Sequence, residues 1–298
     1  MKLLLILYIG FYVTLLQATE EFSLEKSNIK TENIQNDLSK ENMQKWLRHS
    51  FGLQPYRANY ILPLGIAQKA YADHKLGVVK YDKKEAEIQI SLKLQVLKNL
   101  CGLNGKYYLS YTQHAFWQIY VYSAPFRENL YNPEGFVVFP IYDNRSIFSV
   151  RSLKIAIAHK SNGLPNTQNV AEFDGFNLSK SINYAYIRLR LQHSTLITDL
   201  TLLAPFPGKD NLSDNPDLMD YLGYTKIKFT YFYNKNMFTL MGRGNFAKGK
   251  GALEATYSYP MHKDKSYFYM KFFSGYVESL IDYNKNITKL SVGFSFSR

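Results

Sequence analysis

From Ala86 to Val96 the chain alternates without a break: Ala86, Ile88, Ile90, Leu92, Leu94 and Val96 stand against Glu87, Gln89, Ser91, Lys93 and Gln95. Successive side chains of a strand point to opposite faces, so this is a strand with one greasy face and one wet face. The same period returns at Thr225–Tyr233, where Ile227, Phe229 and Tyr231 oppose Lys226, Lys228 and Thr230. It returns again at Leu290–Phe296, with Leu290, Val292, Phe294 and Phe296 against Ser291, Gly293 and Ser295. Twelve segments predict strands: 58–68, 86–98, 106–119, 135–142, 147–160, 180–191, 195–204, 221–233, 237–245, 251–259, 266–276 and 286–296. Long connections are expected at 69–85, 120–134, 161–179 and 205–220, and tight ones at Asp143–Ser146, Gln192–Ser194 and Asn234–Asn236. Strands of this length cross a bilayer when tilted. Long loops on one rim and tight turns on the other are the layout of an outer-membrane barrel, with the turns in the periplasm. Closure also removes the sheet edges that lipid cannot satisfy. The sequence therefore predicts an all-β, 12-stranded antiparallel transmembrane β-barrel of the bacterial outer membrane. Two features fit it poorly. Pro140 falls inside a strand, where it loses a ladder hydrogen bond, and the chain ends Phe296-Ser297-Arg298 rather than on an aromatic residue.

Composition agrees with that frame. Of 298 residues, 25 are Tyr, 20 Phe and 2 Trp, and aromatic girdles sit well at the two membrane interfaces. A hydrophobic share of 46% excludes wholesale disorder. The single cysteine, Cys101, excludes a disulfide scaffold and reads as a buried small residue. The net charge of +12 implies attraction to anions, but no nucleic-acid motif accompanies it.

The N-terminus reads as an address. Met1 and Lys2 precede an apolar stretch, Leu3 to Leu16, then Gln17-Ala18 and the acidic Thr19-Glu20-Glu21. That is a secretory signal peptide, expected to be cleaved after Ala18 and too short for a spanning helix. Three regions follow: signal peptide 1–18; a polar segment 19–55 with a short amphipathic helix carrying Met43, Trp46, Leu47 and Phe51; and the barrel 56–298.

Candidate chemistry starts from six histidines, His49, His74, His114, His159, His193 and His262. Only His159 has a serine two residues away, Ser161, and on a strand these share a face. Leu153, Ile155 and Ile157 have the same parity, whereas Ser152, Lys154 and Lys160 have the other. The pair therefore projects from the lipid side. In the next strand Asn183 and Ala185 share parity with Ile187, Leu189 and Leu191, so antiparallel pairing brings Asn183 beside His159. On residues alone two readings stand: a serine nucleophile, a histidine base and an orienting amide, or a strand end at the headgroup level, where polar residues cost little.

A wider pattern decides between them. Tyr111-Thr112-Gln113 with Trp117-Gln118, Pro125-Phe126-Arg127-Glu128 and His159-Lys160-Ser161-Asn162-Gly163 occur in this order, followed by Ser179-Lys180-Ser181-Ile182-Asn183, Asp214-Asn215-Pro216-Asp217, and Ser274-Gly275-Tyr276 running into Glu278–Asn284. From about Tyr60 onward, the chain resembles the outer membrane phospholipase A family; the first 40 residues lie outside the resemblance. The resemblance implies a phospholipase A1/A2-type hydrolase, a twelve-stranded barrel that acts on acyl esters of glycerophospholipids and lysophospholipids. It implies Ser161 as nucleophile, His159 as general base, Asn183 as the orienting residue and the Gly163 N–H at the oxyanion. It further implies a calcium-dependent homodimer, with Ca2+ held by the Ser179 hydroxyl and the main-chain oxygens of Leu164 and of the partner subunit's Ser123. Gln113 would be a dimer contact within the membrane, or else a glutamine facing the lumen. Asp214 would help a second calcium, or simply belong to a loop turn. Lys160 and Leu164 depart from the family pattern, which favours an acidic and a basic residue there, and Asn166 stands near where a carboxylate would support that second calcium. Two rival readings are a porin-like passive channel without hydrolytic activity and a structural or adhesive barrel.

Overall fold

The computed structural model describes residues 39–41, 43, 52–72, 74, 80–100, 102–141, 149–173, 175–262 and 265–298. The signal peptide, Trp46, Leu47, Phe51, Cys101 and the turn expected at Asp143–Ser146 lie outside the described residues. Leu53–Arg298 forms one compact unit.

A two-residue strand, β1 (Gln54–Pro55), precedes twelve long ones: β2 (Asn59–Ala67), β3 (Lys84–Lys98), β4 (Lys106–Trp117), β5 (Phe126–Pro140), β6 (Ser149–Ser161), β7 (Ser181–His193), β8 (Leu196–Pro205), β9 (Thr225–Tyr233), β10 (Asn236–Asn245), β11 (Lys250–His262), β12 (Ser266–Gly275) and β13 (Ile287–Ser297). Each long strand pairs antiparallel with its chain neighbours, and β13 pairs with β2, so the sheet closes. β1 only caps β3, with Gln54 opposite Lys93. The fold is thus a closed 12-stranded antiparallel barrel, as the alternation predicts. Among the described residues no helix is long and apolar enough to cross a membrane.

Outward residues are the apolar set of each strand. Ile90 and Leu94 on β3, Ile155 and Ile157 on β6, and Leu200 and Leu202 on β8 are all exposed. Aromatic residues gather at the rims. Trp117 stacks on Phe126 at the rim of the long connections, while Tyr233, Tyr259 and Phe296 are exposed toward the rim of the tight turns.

The inner wall carries buried charge. Glu85, Glu87, Arg127 and Lys289 are essentially inaccessible. Arg127 donates in bidentate fashion to Glu85 at 2.9 and 3.0 Å. Lys289 contacts Glu85, Glu87 and Glu278 at 2.9, 2.8 and 2.6 Å. Paired and hydrogen-bonded in this way, the charges are tolerable when buried. Arg127 also donates to Ser279 and Asp282, and Asp282 meets His74 at 2.8 Å. The connection after β12 is therefore tied to β5 and to the connection after β2.

Two boundaries differ from expectation. The long connection expected at 120–134 is short, because β5 begins at Phe126. Arg127, Glu128, Asn132 and Glu134 look like loop residues, but they are buried on the inner side of that strand. The strand expected from residue 221 begins at Thr225, behind a one-turn helix, Leu218–Leu222, whose Leu218 and Met219 are buried. Pro140 is the last residue of β5, so its missing N–H falls at a strand end.

Candidate active site

β6 and β7 pair with His159 opposite Asn183 and Ser161 opposite Ser181. On β6 the inward side chains Lys154, Ala156 and Ala158 are buried, while Ile155 and Ile157 are exposed. His159 and Ser161 share the parity of the exposed pair and so stand on the lipid face. Ile182, Tyr184 and Tyr186 of β7 are buried and Ile187 is exposed, which puts Asn183 on that face as well. The His159 Nδ1 and Asn183 Oδ1 atoms are 2.8 Å apart. An amide oxygen only accepts, so the ring proton in this bond lies on Nδ1. Nε2 is then the free basic nitrogen on the side away from Asn183. The Ser161 hydroxyl makes no hydrogen bond among the described residues. Ser161 lies one same-face position beyond His159, at the end of β6.

His159 is also held by its backbone. Continuing the β5–β6 register beyond Glu134–Ala158 places Pro133 opposite His159. Proline has no N–H to offer the ladder. The His159 carbonyl instead accepts from Asn132 Nδ2 at 2.7 Å.

The turn after Ser161 carries Gly163 at φ +64°, where a Cβ would come within 2.8 Å of the Tyr131 ring. Glycine is needed there for both conformation and space. Asn162, buried, fixes this turn. Its Nδ2 donates to Glu128 at 3.0 Å and to the Leu178 carbonyl at 2.8 Å. Its Oδ1 accepts from the Leu164 and Lys180 N–H groups at 3.3 and 3.1 Å. Glu128 in turn accepts from the N–H groups of Leu280 and Ile281. One carboxylate and one amide thus lock together the strand end, the connection after β6 and the connection after β12.

β7 extends beyond its partner β8, since their pairing begins at Tyr184–Pro205. The edge left at Ser181–Asn183 is covered by two asparagines from the connection after β8. Asn183 N–H donates to Asn211 Oδ1 at 2.7 Å, and Asn211 Nδ2 donates to the Asn183 carbonyl at 2.9 Å. Ser181 N–H donates to Asn215 Oδ1 at 2.9 Å, and Asn215 Nδ2 donates to the Ser181 carbonyl at 3.1 Å. Each amide imitates one residue of a missing strand.

Oxygen donors gather beside this edge. Ser179 Oγ donates to Asp214 Oδ2 at 2.7 Å, and the Asn177 and Asn166 amides donate to Asp214 Oδ1 at 2.6 and 3.2 Å. Among the described residues no three His, Cys, Asp or Glu side chains form a metal cage. The donors on offer are hydroxyl, amide, carboxylate and main-chain oxygens, the hard set that suits calcium. Lys180 donates to the carbonyls of Asn177 and Ser179. Burial pushes its pKa down, against the pull of Asp214 and Glu128. Leu164 lies in the same connection as Ser179. Ser123, at φ +62°, lies instead in the connection between β4 and β5.

Gln113 has the parity of exposed Leu109 and Tyr111, opposite to buried Ser110 and Thr112. It faces outward, not into the lumen, and its Nε2 meets Asn129 Oδ1 at 3.4 Å. Lys160 has inward parity, away from its two neighbours. The sequence alone assigns no role to Asn132, Asn162, Asn211, Asn215 or Glu128. Glu128, Asn162 and Asn215 do stand in the ordered motifs of the sequence, whereas Asn132 and Asn211 stand in none.

Comparison with known proteins gives relatives in both sequence and fold. The family profile described as Phospholipase A1 matches residues 34–296. The phospholipase A1 of Klebsiella pneumoniae is 32% identical over 251 residues, covering 82% of each chain. That of Escherichia coli K12 is 30% identical over 260 residues, covering 85% of this chain and 84% of its own. The solved outer membrane phospholipase A from Escherichia coli superposes with a TM-score of 0.72 at 29% identity, covering 83% of this chain and 99% of that one. The Salmonella typhi outer membrane phospholipase, solved as a dimer with bound calcium, gives 0.73 at 28% identity, covering 84% and 94%.

Proposed function

Since the chain belongs to the phospholipase A1 family of outer-membrane ester hydrolases, we propose that it cleaves acyl esters of glycerophospholipids and lysophospholipids through Ser161, His159 and Asn183. The observation that carries this reading is the His159–Asn183 hydrogen bond on the lipid face. Polar groups on such a wall are costly unless they have a use. A substrate that diffuses sideways in the leaflet reaches them without leaving the membrane.

Ser161 Oγ attacks the ester carbonyl while His159 Nε2 takes its proton. Asn183 holds the ring in the tautomer that leaves Nε2 basic and stabilises its orientation once charged. The Gly163 N–H donates to the oxyanion, in a turn that Asn162 and Glu128 keep rigid. His159 then returns the proton to the departing alkoxide, releasing the lysophospholipid. Water, activated by the same imidazole, frees the fatty acid from Ser161.

Calcium fits the oxygen set at Ser179. When bound, it supplies positive charge to stabilise the oxyanion. Ser179 Oγ and the Leu164 carbonyl would hold it from this chain, and the partner subunit's Ser123 carbonyl from across a dimer interface that includes Gln113. The Salmonella typhi relative, solved as a dimer with bound calcium, supports a dimer that binds calcium. Export begins with the signal peptide at residues 1–18, and the polar segment 19–55 precedes the barrel.

A passive channel is the weaker reading, because Glu85, Glu87, Arg127 and Lys289 pack the lumen with side chains where a channel needs water. The deciding experiment follows fatty-acid release from a defined phospholipid by detergent-purified protein with calcium. Ser161→Ala is expected to abolish release in a barrel that remains folded. Undiminished hydrolysis by that variant would overturn the mechanism.

A further inference from the structure

The inner wall behind the active-site strand carries a row of positive charge that no carboxylate meets in an ion pair. The register runs Arg188–Thr201–Lys226–Arg243 across β7, β8, β9 and β10. Directly opposed residues share a face, and Thr201 is buried, so all four side chains point into the lumen. Lys226 and Arg243 are direct cross-strand neighbours, an arrangement that is destabilising for like charges.

Two nearby carboxylates are already engaged. Glu134 pairs with Arg57 and lies 3.8 Å from Lys154. Asp199, one pair further along, is held in bidentate fashion by Arg190 at 2.7 and 2.8 Å. Glu254, opposite Met241, makes no ion pair with the row. Among the described residues, Arg188, Lys226 and Arg243 therefore form no ion pair. Arg188 spends its Nε on Thr201 Oγ1 at 3.2 Å. Arg243 spends its Nη2 on the Tyr276 and Val277 carbonyls, while its Nη1 is buried without a hydrogen-bond partner. A buried donor left in this way is expensive.

These residues line one small cavity of about 70 Å³, together with Arg57, Tyr184 and Tyr224. We propose that this cavity is an oxyanion site of the lumen, taking a free tetrahedral anion of the class of inorganic phosphate. Its charged lining disfavours an acyl chain, and its place inside the wall separates it from the lipid face. Arginine forks and a lysine point charge are the donors that planar and tetrahedral oxyanions need. An anion there would satisfy Arg243 Nη1 and cancel the repulsion between Lys226 and Arg243. The site is independent of the hydrolytic reading, since none of its cations belongs to the triad or the calcium set.

The test is calorimetric titration of inorganic phosphate into the full-length protein, in detergent and phosphate-free buffer, against sodium chloride at equal ionic strength. One saturable site per barrel is expected with phosphate and none with chloride. Lys226→Gln should weaken it by about tenfold or more, the scale of one lost charge-assisted contact, and Lys209→Gln, on an exposed loop, should not. Should Lys226→Gln not fold, the melting temperature of the unaltered protein decides, rising saturably with phosphate but not with chloride. Equal behaviour of the two salts, or unweakened binding in Lys226→Gln, would overturn the proposal.

Discussion

On the outer wall of β9–β13, Phe229, Tyr231, Phe238, Leu240, Tyr257, Phe272 and Leu290 line one shallow groove of about 330 Å³. On the outer wall of β6 and β7 the corresponding rows begin with Ile155, Ile157, Ile187 and Ala185, then change to His159, Ser161 and Asn183. Both walls have the same period and the same exposure to lipid. They differ in what stands behind them. The polar patch has its backbone tied from the side by Asn132, Asn211 and Asn215, and from beneath by Asn162 and Glu128. The difference teaches that polar side chains on a greasy surface keep a working geometry only where the strand ends carrying them are held by other groups.

The largest separation of the two walls is expected from His159→Ala, which should cost activity about 10⁴-fold or more in steady-state fatty-acid release, as for a base that acts as a unit with its nucleophile. The oxygen set comes next. Ser179→Ala is expected to raise the calcium concentration for half-maximal activity by about 10- to 100-fold, and a chelator should stop release altogether; a calcium titration reads both. The amide clamp follows. Asn215→Ala leaves the Ser181 N–H and carbonyl without partners, at a cost of about 1–3 kcal/mol. Loss of positioning should appear as a kcat lowered about tenfold at nearly unchanged KM, and a fall in KM-governed binding alone would contradict the clamp. Smallest of all, Leu240→Ala on the opposite wall should leave activity within about twofold, as surface changes do. A large effect there would break the comparison.

The wall assignment is legible in the sequence, because a period of two admits only two faces and Leu153, Ile155 and Ile157 declare which one is greasy. Pairing of adjacent strands then brought Asn183 to His159. The start of β5 was not legible. Its inward positions hold Glu128, Asn132 and Glu134, its bulge holds Arg127 and its outward face holds Pro133, so the segment mimics a loop until the charges of Glu85, Asp282 and Arg57 are seen meeting it. The clamp was not legible either. Asn211 and Asn215 reach back 28 and 34 residues to Asn183 and Ser181, and only the return path of the connection after β8 makes them neighbours. Period and parity are local properties of a strand, whereas a loop that imitates a strand edge has no periodicity to read.

The central claim is that Ser161 is the nucleophile of a site facing the bilayer. Its most direct test is covalent: treat the calcium-loaded protein in detergent with a long-chain sulfonyl fluoride and map the adduct by peptide mass spectrometry. One modified residue is expected, Ser161, formed in step with loss of hydrolysis and more slowly in His159→Ala. Hydrolysis lost through an adduct on a different residue, with Ser161 unmodified, would contradict it.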